Sequence, residues 1–206
     1  WNGLINESIY VIFAAGLSLV FGVMRVINMA HGELTMLGAM LLYTVTEPLG
    51  INYYWGAVIV VVLMAAVGLL LNRVAVFPFL GQSELTVILS TVAVSFVMLH
   101  GSIVAWGSGP RGVEAPFNSI VKVGGIFITT ASLLLIGGCF TAVVGLHLLL
   151  ARTRLGRMTR ATGQNLLGAR LIGLNTTRIY DTTLIIASSL AALAGADTPL
   201  PLVLIS

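Results

Sequence analysis

Long stretches without a charged side chain constrain this chain most. Residues 48–72 contain none, and neither do residues 123–151. Each stretch exceeds the roughly 20 residues that a membrane-spanning helix needs. Hydrophobic residues make up 58% of the chain and charged residues 8%, whereas a soluble domain carries about 25% charged residues. Such a chain cannot cover itself with a solvated surface, so the sequence predicts an all-α, polytopic helical membrane protein.

The apolar runs divide into six predicted segments: 3–23, 34–46, 55–72, 85–106, 123–150 and 179–196. The second segment is short and follows polar residues, which predicts a discontinuous helix. Such breaks are tolerated where protein or a water-filled cavity satisfies the freed backbone groups. In the last segment, Ala187, Ala191 and Gly195 recur at four-residue spacing and favour close helix packing. The chain ends without a charged flank, so we expect its architecture to be truncated at the carboxyl end.

The distribution of basic residues predicts the topology. Residues 151–178 hold six of the ten basic residues and no acidic residue, which is typical of a cytoplasmic loop. Alternating sides from this loop places Arg25 and Arg73 inside, Arg111 and Lys122 outside, and the amino terminus outside. The net charge of +3 does not indicate nucleic-acid binding, because the arginines lie in membrane-flanking loops without interleaved aromatic residues. The expected contact of these loops is the lipid bilayer.

Residues 161–174 of this loop predict a short helix. Leu166, Ala169 and Ile172–Gly173 fall at three- to four-residue spacing and form a narrow apolar stripe. Gly173 suits the carboxyl cap of that helix. The residues alone leave two interpretations open. The helix either rests on anionic lipid or inserts as a ridge into the groove of a soluble partner.

Three strings resemble a known family, in the right order and over most of the chain. Residues 154–179, RLGRMTRATGQNLLGARLIGLNTTRI, are similar to the cytoplasmic coupling loop of binding-protein-dependent ABC importer permeases. Residues 16–40, GLSLVFGVMRVINMAHGELTMLGAM, resemble the amino-terminal signature of the branched-chain amino acid permeases, above all in INMAHGE. Residues 106–117, WGSGPRGVEAPF, resemble the external loop of that family.

The resemblance implies a fold similar to that of the vitamin B12 and ribose importer permeases. It implies one permease domain over residues 1–206, incomplete at its carboxyl end, with a coupling loop at 151–178. The implied partners are ATP-binding subunits, a second permease that is homologous or identical, and a periplasmic substrate-binding protein in a bacterial inner membrane. The residues expected to couple the loop to the ATPase are Arg160, Gln164, Asn165, Ala169, Arg170 and Gly173. Relatives often carry an acidic residue near Gln164 and Asn165, and its loss here would weaken a polar contact.

The residues themselves support this division of labour. A phosphate-cradling loop needs Gly-Lys-Ser or Gly-Lys-Thr, and the only lysine, Lys122, precedes Val123. The chain therefore lacks that ATP-binding motif, and energy from ATP would come from a partner. The sequence predicts a transport subunit, not an enzyme, and no cofactor.

Asn28, His31, Gly32 and Glu33 are the candidates for the translocation path or the broken helix. Polar groups at membrane depth are costly and usually face a cavity or a partner. Three roles stay open: capping and tying the start of the second helix, lining the path, or gating. A metal site is not expected, because His31 and Glu33 point to different faces of a helix and no second histidine follows four residues later.

The function that these features predict is import of branched-chain or other apolar amino acids. Permeases for urea and short amides share a similar INMAHGE segment and differ only in cargo. A secondary transporter or channel driven by an ion gradient is the alternative from another class. A membrane enzyme is the weakest alternative, because no reactive constellation of side chains is evident.

Overall fold

The computed structural model of the chain describes residues 2–109, 113, 120–123 and 126–197. Its regular elements are α1 (Asn2–Met24), α2 (His31–Thr46), α3 (Tyr53–Leu71), α4 (Glu84–Trp106), β1 (Ile120–Val123), β2 (Ile126–Thr129), α5 (Thr130–Arg152), α6 (Arg154–Gln164), α7 (Leu166–Leu171) and α8 (Thr176–Asp197). A π-helical turn (Asn72–Val76) and a 3-10 turn (Phe77–Phe79) extend α3. The predicted polytopic helical fold is confirmed.

Four helices in the described residues are long and apolar enough to cross a membrane: Glu7–Met24, Tyr53–Phe79, Glu84–Trp106 and Thr176–Ala196. A bent pair, Ile136–Arg152 with Arg154–Gln164, turns through 76° and provides a fifth candidate. By contrast, α2 has 16 residues and rises only about 24 Å at 1.5 Å per residue. That is less than the hydrocarbon core of about 30 Å, so α2 does not cross alone.

Helix α8 lies at the centre of the bundle. It packs against α1, α2 and α3, and 67% of its span is buried. Its small residues explain the close packing: Ala187 and Ala191 are fully buried, and a Cβ added to Gly195 would overlap the backbone of Thr35 in α2. The predicted role of the Ala187–Ala191–Gly195 spacing is therefore confirmed.

Glycines on the neighbouring helices complement α8. A Cβ on Gly38 of α2 would lie 2.7 Å from Cα of Ala192, and one on Gly68 of α3 would lie 2.6 Å from the carbonyl oxygen of Leu184. Real Cβ atoms do not approach a backbone so closely, so these positions require glycine for the helices to meet. Lipid is as apolar as leucine, so the hydrophobic effect does not drive helices together in a bilayer. Close van der Waals contacts such as these contribute to helix association instead.

The two ends of the bundle differ in chemistry. At one end, Arg25 donates to the Gly163 carbonyl within the predicted loop, and Arg73 donates to Asp181 just after it. At the other end, Trp106 Nε1 donates to Thr44 Oγ1 at 2.7 Å, and the hydroxyl of Tyr53 donates to the Ala196 carbonyl at 3.4 Å. These arginines therefore lie at one end, with Phe77 beside Arg73, whereas Tyr53 and Trp106 lie at the other.

The structure corrects the predicted start of the fifth segment. The sequence predicts one helical run from Val123, whereas β1 and β2 form an antiparallel hairpin with Ile120 opposite Thr129 and Val123 opposite Ile126. The helix begins only at Thr130. The predicted external loop around Arg111 and the chain end at 198–206 lie outside the described residues.

Candidate functional site

The connection between α1 and α2 is a short non-helical segment that reaches into the bundle. Along residues 26–30 the side chains alternate between buried and exposed, with Val26, Asn28 and Ala30 buried and Ile27 and Met29 exposed. The segment ends in a turn at residues 29–30, where the His31 N–H donates to the Asn28 carbonyl at 3.3 Å. The segment starts beside the end of α1 and delivers His31 to the level of Phe13, in the middle of α1. Helix α2 thus begins inside the bundle, as the prediction of a discontinuous helix requires.

Hydrogen bonds from three elements hold this break. The backbone N–H of Met29 donates to Thr91 Oγ1 of α4 at 3.2 Å. Asn28 Oδ1 accepts from the N–H of Ala30 at 3.1 Å. His31 Nε2 lies 3.2 Å from the carbonyl oxygen of Phe13, which makes Nε2 the donor in the neutral ring. Close contact also comes from Gly16, where a Cβ would lie 3.0 Å from the imidazole.

Asn28 and His31 are buried, at 3% and 1% exposure, yet each retains a buried polar atom without a protein partner. These atoms are Asn28 Nδ2 and His31 Nδ1. Glu33 Oε2 is also buried and without a protein partner. Gly32 is exposed, and a Cβ there would meet nothing within 4 Å. Asn28 and His31 therefore fasten the break, Gly32 lies on its exposed side, and Glu33 is partly buried.

Helices α6 and α7 form the predicted loop and are delimited by caps. Thr153 Oγ1 accepts from the N–H of Gly156 at the start of α6. Asn165 Oδ1 accepts from the N–H of Gly168 at 2.8 Å at the start of α7. At the end of α7, Gly173 has φ +80°, and the N–H groups of Gly173 and Leu174 bond to preceding carbonyls. This is a Schellman cap, and the prediction that Gly173 caps the helix is confirmed.

The predicted apolar stripe of α7 is wrong in its direction. Ala169 is 3% exposed, and Leu166 packs against the hydrophobic core. The outward face is instead formed by three apolar residues, here called the α7 ridge: Leu167, Leu171 and Ile172, at 69%, 80% and 73% exposure. Only Ile172 of the predicted stripe belongs to it.

The other predicted coupling residues lie in α6 and α7. Arg160 donates from its guanidinium to the Leu150 carbonyl and so braces α6 against the end of α5. Gln164 ends α6 and is exposed, as is Arg170 in the last turn of α7. Of these three, Gln164 and Arg170 lie at or in α7, whereas Arg160 contacts the end of α5.

Two cavities flank this loop. One, of about 270 Å³, is lined by residues of the end of α1, the end of α6 and the start of α7, together with Tyr180. The other, of about 600 Å³, lies between Phe77, Leu80, Arg170 and the start of α8. Neither cavity is lined by Asn28 or His31.

Sequence reasoning missed a polar cluster that joins α3 to α8. Asp181 Oδ1 accepts from Asn72 Nδ2 at 2.6 Å, and its Oδ2 pairs with Arg73 at 2.7 Å. Asn72 is fully buried. The adjacent Asn-Arg pair after an apolar run and the acid near the start of a later run are the available signals, but nothing in the sequence pairs them.

Taken together, apolar spans, a helix that begins inside the bundle and a capped loop at its arginine-rich end define a multi-pass membrane transport protein. Residues 1–204 match the family model described as the branched-chain amino acid transport system / permease component. The chain belongs to this permease family.

Curated relatives agree with the family. The chain is 30% identical to the high-affinity branched-chain amino acid transport system permease protein LivH of Escherichia coli K12, over 95% of this chain and 68% of the relative. It is 29% identical to BraD, the corresponding permease protein of Pseudomonas aeruginosa, over 94% and 67%. It is 26% identical to a probable LivH of Methanocaldococcus jannaschii, over 96% and 64%. No solved structure matches the fold.

Proposed function

We propose that this chain is the inner-membrane permease subunit of a bacterial, binding-protein-dependent ABC importer that carries branched-chain or other apolar amino acids. The observation that carries the proposal is the family match over residues 1–204. The relatives are named for high-affinity branched-chain amino acid transport. Those names favour amino acids over urea or short amides, and a transport-system component over a stand-alone secondary transporter.

The break between α1 and α2 is the proposed part of the translocation path. A helix that begins inside the bundle presents the positive end of its dipole there, and in transporters such half-helices face anionic substrate groups. An amino acid carries one carboxylate that would suit this end. In this proposal Asn28 and His31 fix the break, Gly32 lies on its open side, and the partly buried Glu33 follows it in the first turn of α2.

The loop at residues 151–178 is the proposed contact with the ATP-binding subunit. The α7 ridge offers three exposed apolar side chains at a helix surface, and an amphipathic helix in a groove is a common recognition mode. Asn165, Ala169 and Gly173 shape and seat the helix, while Gln164 and Arg170 place polar groups beside it. Arg160 holds α6 against the end of α5. ATP hydrolysis on the partner would then move this loop and switch access.

The remaining partners follow from the same proposal. A second permease would complete the path, and a periplasmic binding protein would deliver the cargo and supply most of the selectivity. Residues 1–206 then act as one permease domain embedded in lipid. A zwitterionic cargo needs only a few polar groups in such a path, which agrees with the 8% of charged residues in the chain.

Co-purification tests the proposal. The full-length permease is expected to retain an ATP-binding subunit in detergent and to import leucine into ATP-loaded proteoliposomes containing the binding protein. Leu171→Ala is expected to weaken binding of the ATP-binding subunit about tenfold or more, equivalent to about 1.4 kcal/mol. Truncating a central apolar anchor has effects of this size.

Arg157→Ala is the matched control, because Arg157 is an exposed residue of the same loop outside the α7 ridge. Equal binding by the wild type and Leu171→Ala would contradict docking through the ridge. Leucine uptake that follows an ion gradient and ignores ATP depletion would contradict the ABC importer.

A further inference from the structure

Arg25 occupies a backbone conformation that arginine rarely adopts. Its φ is +55°, in the left-handed region that glycine or asparagine usually fills just after a helix. Its N–H donates to the Phe21 carbonyl at 2.8 Å and completes the last turn of α1. A residue with a Cβ stays in this region only where surrounding contacts determine it. The side chain of Arg25 supplies those contacts.

The guanidinium of Arg25 caps the end of α6. Its Nε donates to the Gly163 carbonyl at 3.1 Å, and one Nη donates to the Gln164 carbonyl at 3.5 Å. The last carbonyls of a helix have no partner within it, and a cation is favoured at this end of the helix dipole. The planar fork of arginine can serve two such oxygens at once.

The backbones of the two helix ends also touch. A Cβ added to Gly163 would overlap the carbonyl oxygen of Gly22 in α1 and lie 3.5 Å from Cα of Val23. The end of α6 is therefore seated directly on the last turn of α1, with Arg25 closing the contact. Only Asn165 separates α6 from α7, so these contacts connect α7 with the end of α1.

The residues after Arg25 form the break that leads to His31. Within it the Met29 N–H donates to Thr91 of α4, and His31 Nε2 donates to the Phe13 carbonyl of α1. A continuous set of contacts thus runs from the α7 ridge through α6 and Arg25 into the start of α2. The cavity of about 270 Å³ beside Arg25 and Gln164 gives these ends room to shift.

We propose that Arg25 is a positioning residue that fastens the break between α1 and α2 to the end of α6, so that displacement of α7 moves the start of α2. This inference rests on the proposed function. Without the guanidinium, the loop still binds the ATP-binding subunit and the break still folds. A movement of the loop is then no longer transmitted to the break.

Arg25→Gly separates this role from a conformational one. Glycine adopts the left-handed backbone without steric strain, so a purely local role predicts unchanged or higher stability and normal transport. Gly163→Ala tests the same contact from the other side, because its Cβ forces the two helix ends apart. The matched controls are Arg157→Ala, which removes an exposed arginine of the loop, and Gly145→Ala, whose Cβ meets nothing within 4 Å.

The measurement uses the full-length permease assembled with its second permease and ATP-binding subunits in proteoliposomes, supplied with the binding protein and leucine. Three quantities are compared: retention of the ATP-binding subunit, ATP hydrolysis rate, and leucine imported per ATP hydrolysed. For Arg25→Gly and Gly163→Ala we expect retention and hydrolysis within about twofold of wild type, and at least a tenfold fall in leucine per ATP. Both controls should match wild type.

Wild-type leucine per ATP in Arg25→Gly would overturn the inference. Loss of the ATP-binding subunit from Arg25→Gly would also overturn it, because Arg25 would then be a docking residue. If Arg25→Gly does not fold, Arg25→Lys replaces it, because lysine keeps the charge and lacks the planar fork. Arg25→Lys should reduce leucine per ATP less than Gly163→Ala does. Wild-type values in both variants would overturn the inference. Failure of the proposed function is distinguishable, since it appears in the wild type as no ATP-dependent import.

Discussion

At the scale of single residues, Asp181 is the best example of a role that the sequence hides. The sequence places it near the start of a segment, where water is in reach. In the fold it accepts from Asn72 and pairs with Arg73, residues 109 and 108 positions away. Hydropathy locates all three residues near segment ends, but it carries no information on which ends meet.

Removal of Asp181 and removal of its partner Arg73 should differ in their effect on stability. Asp181→Ala leaves the buried Asn72 amide without its acceptor, and we expect a loss of about 1–3 kcal/mol. Arg73→Ala should cost less than about 1 kcal/mol, because the arginine side chain is 53% exposed and solvent weakens such pairs. Thermal unfolding in detergent measures both. Equal losses would show that the Asn72 bond contributes little.

At the scale of elements, the sequence predicts which helix has a face of small residues, but not which helices pack against that face. The four-residue spacing in α8 predicts a close approach, yet the complementary Gly38 and Gly68 lie in different helices. The orientation of α7 could not be predicted from the sequence either. The helix has six residues, and its apolar side chains lie on several faces, so more than one face could be the buried one. The caps at Asn165 and Gly173 fix the phase that buries Ala169 and exposes Leu171.

The missed hairpin has a similar cause. The second strand and the last residue of the first lie in an apolar run that also suits a membrane helix, and hydropathy alone reads the run as one segment. The signal for the hairpin is Gly124–Gly125 between β-branched and aromatic residues, which is typical of a two-residue hairpin connection.

Two glycines in otherwise similar helices should respond oppositely to alanine. Gly38→Ala places a Cβ 2.7 Å from Cα of Ala192, and overpacking against a backbone costs about 1–3 kcal/mol. Gly101→Ala in α4 meets nothing within 4 Å, and alanine is the better helix former by about 1 kcal/mol. Melting temperature should therefore fall for the first and hold or rise for the second. The opposite order would contradict the tight α2–α8 contact.

At the scale of the whole molecule, the position of Arg25 and Arg73 at the same end as the 151–178 loop agrees with the charge asymmetry of the sequence. The number of apolar segments and the grouping of Arg25, Arg73 and the 151–178 loop could be predicted, because membrane insertion depends on composition and charge. Which side each end faces stays a prediction from the excess of arginine.

Labelling of single cysteines tests that side. In a Cys139→Ala background, Leu49→Cys between α2 and α3 should react with a membrane-impermeant maleimide in intact cells. Leu171→Cys should react only after permeabilisation. Both native side chains are well exposed, at 64% and 80%, and the permease is produced without its ATP-binding subunit so that the α7 ridge stays uncovered. Lack of access would then not explain silence. Reaction of Leu171→Cys from outside would reverse the topology and remove the basis for ATPase docking.

The central place of α8 has a consequence for how the chain is made. Ribosomes deliver helices to the translocon in order, so α1, α2 and α3 enter the bilayer before the helix that fills the space between them exists. Until α8 is inserted, the glycine faces of α2 and α3 contact lipid or an insertase. We expect the half-made protein to be the form most exposed to quality-control proteases, and defects in α8 to lower the amount of permease in the cell more than the activity of each surviving copy.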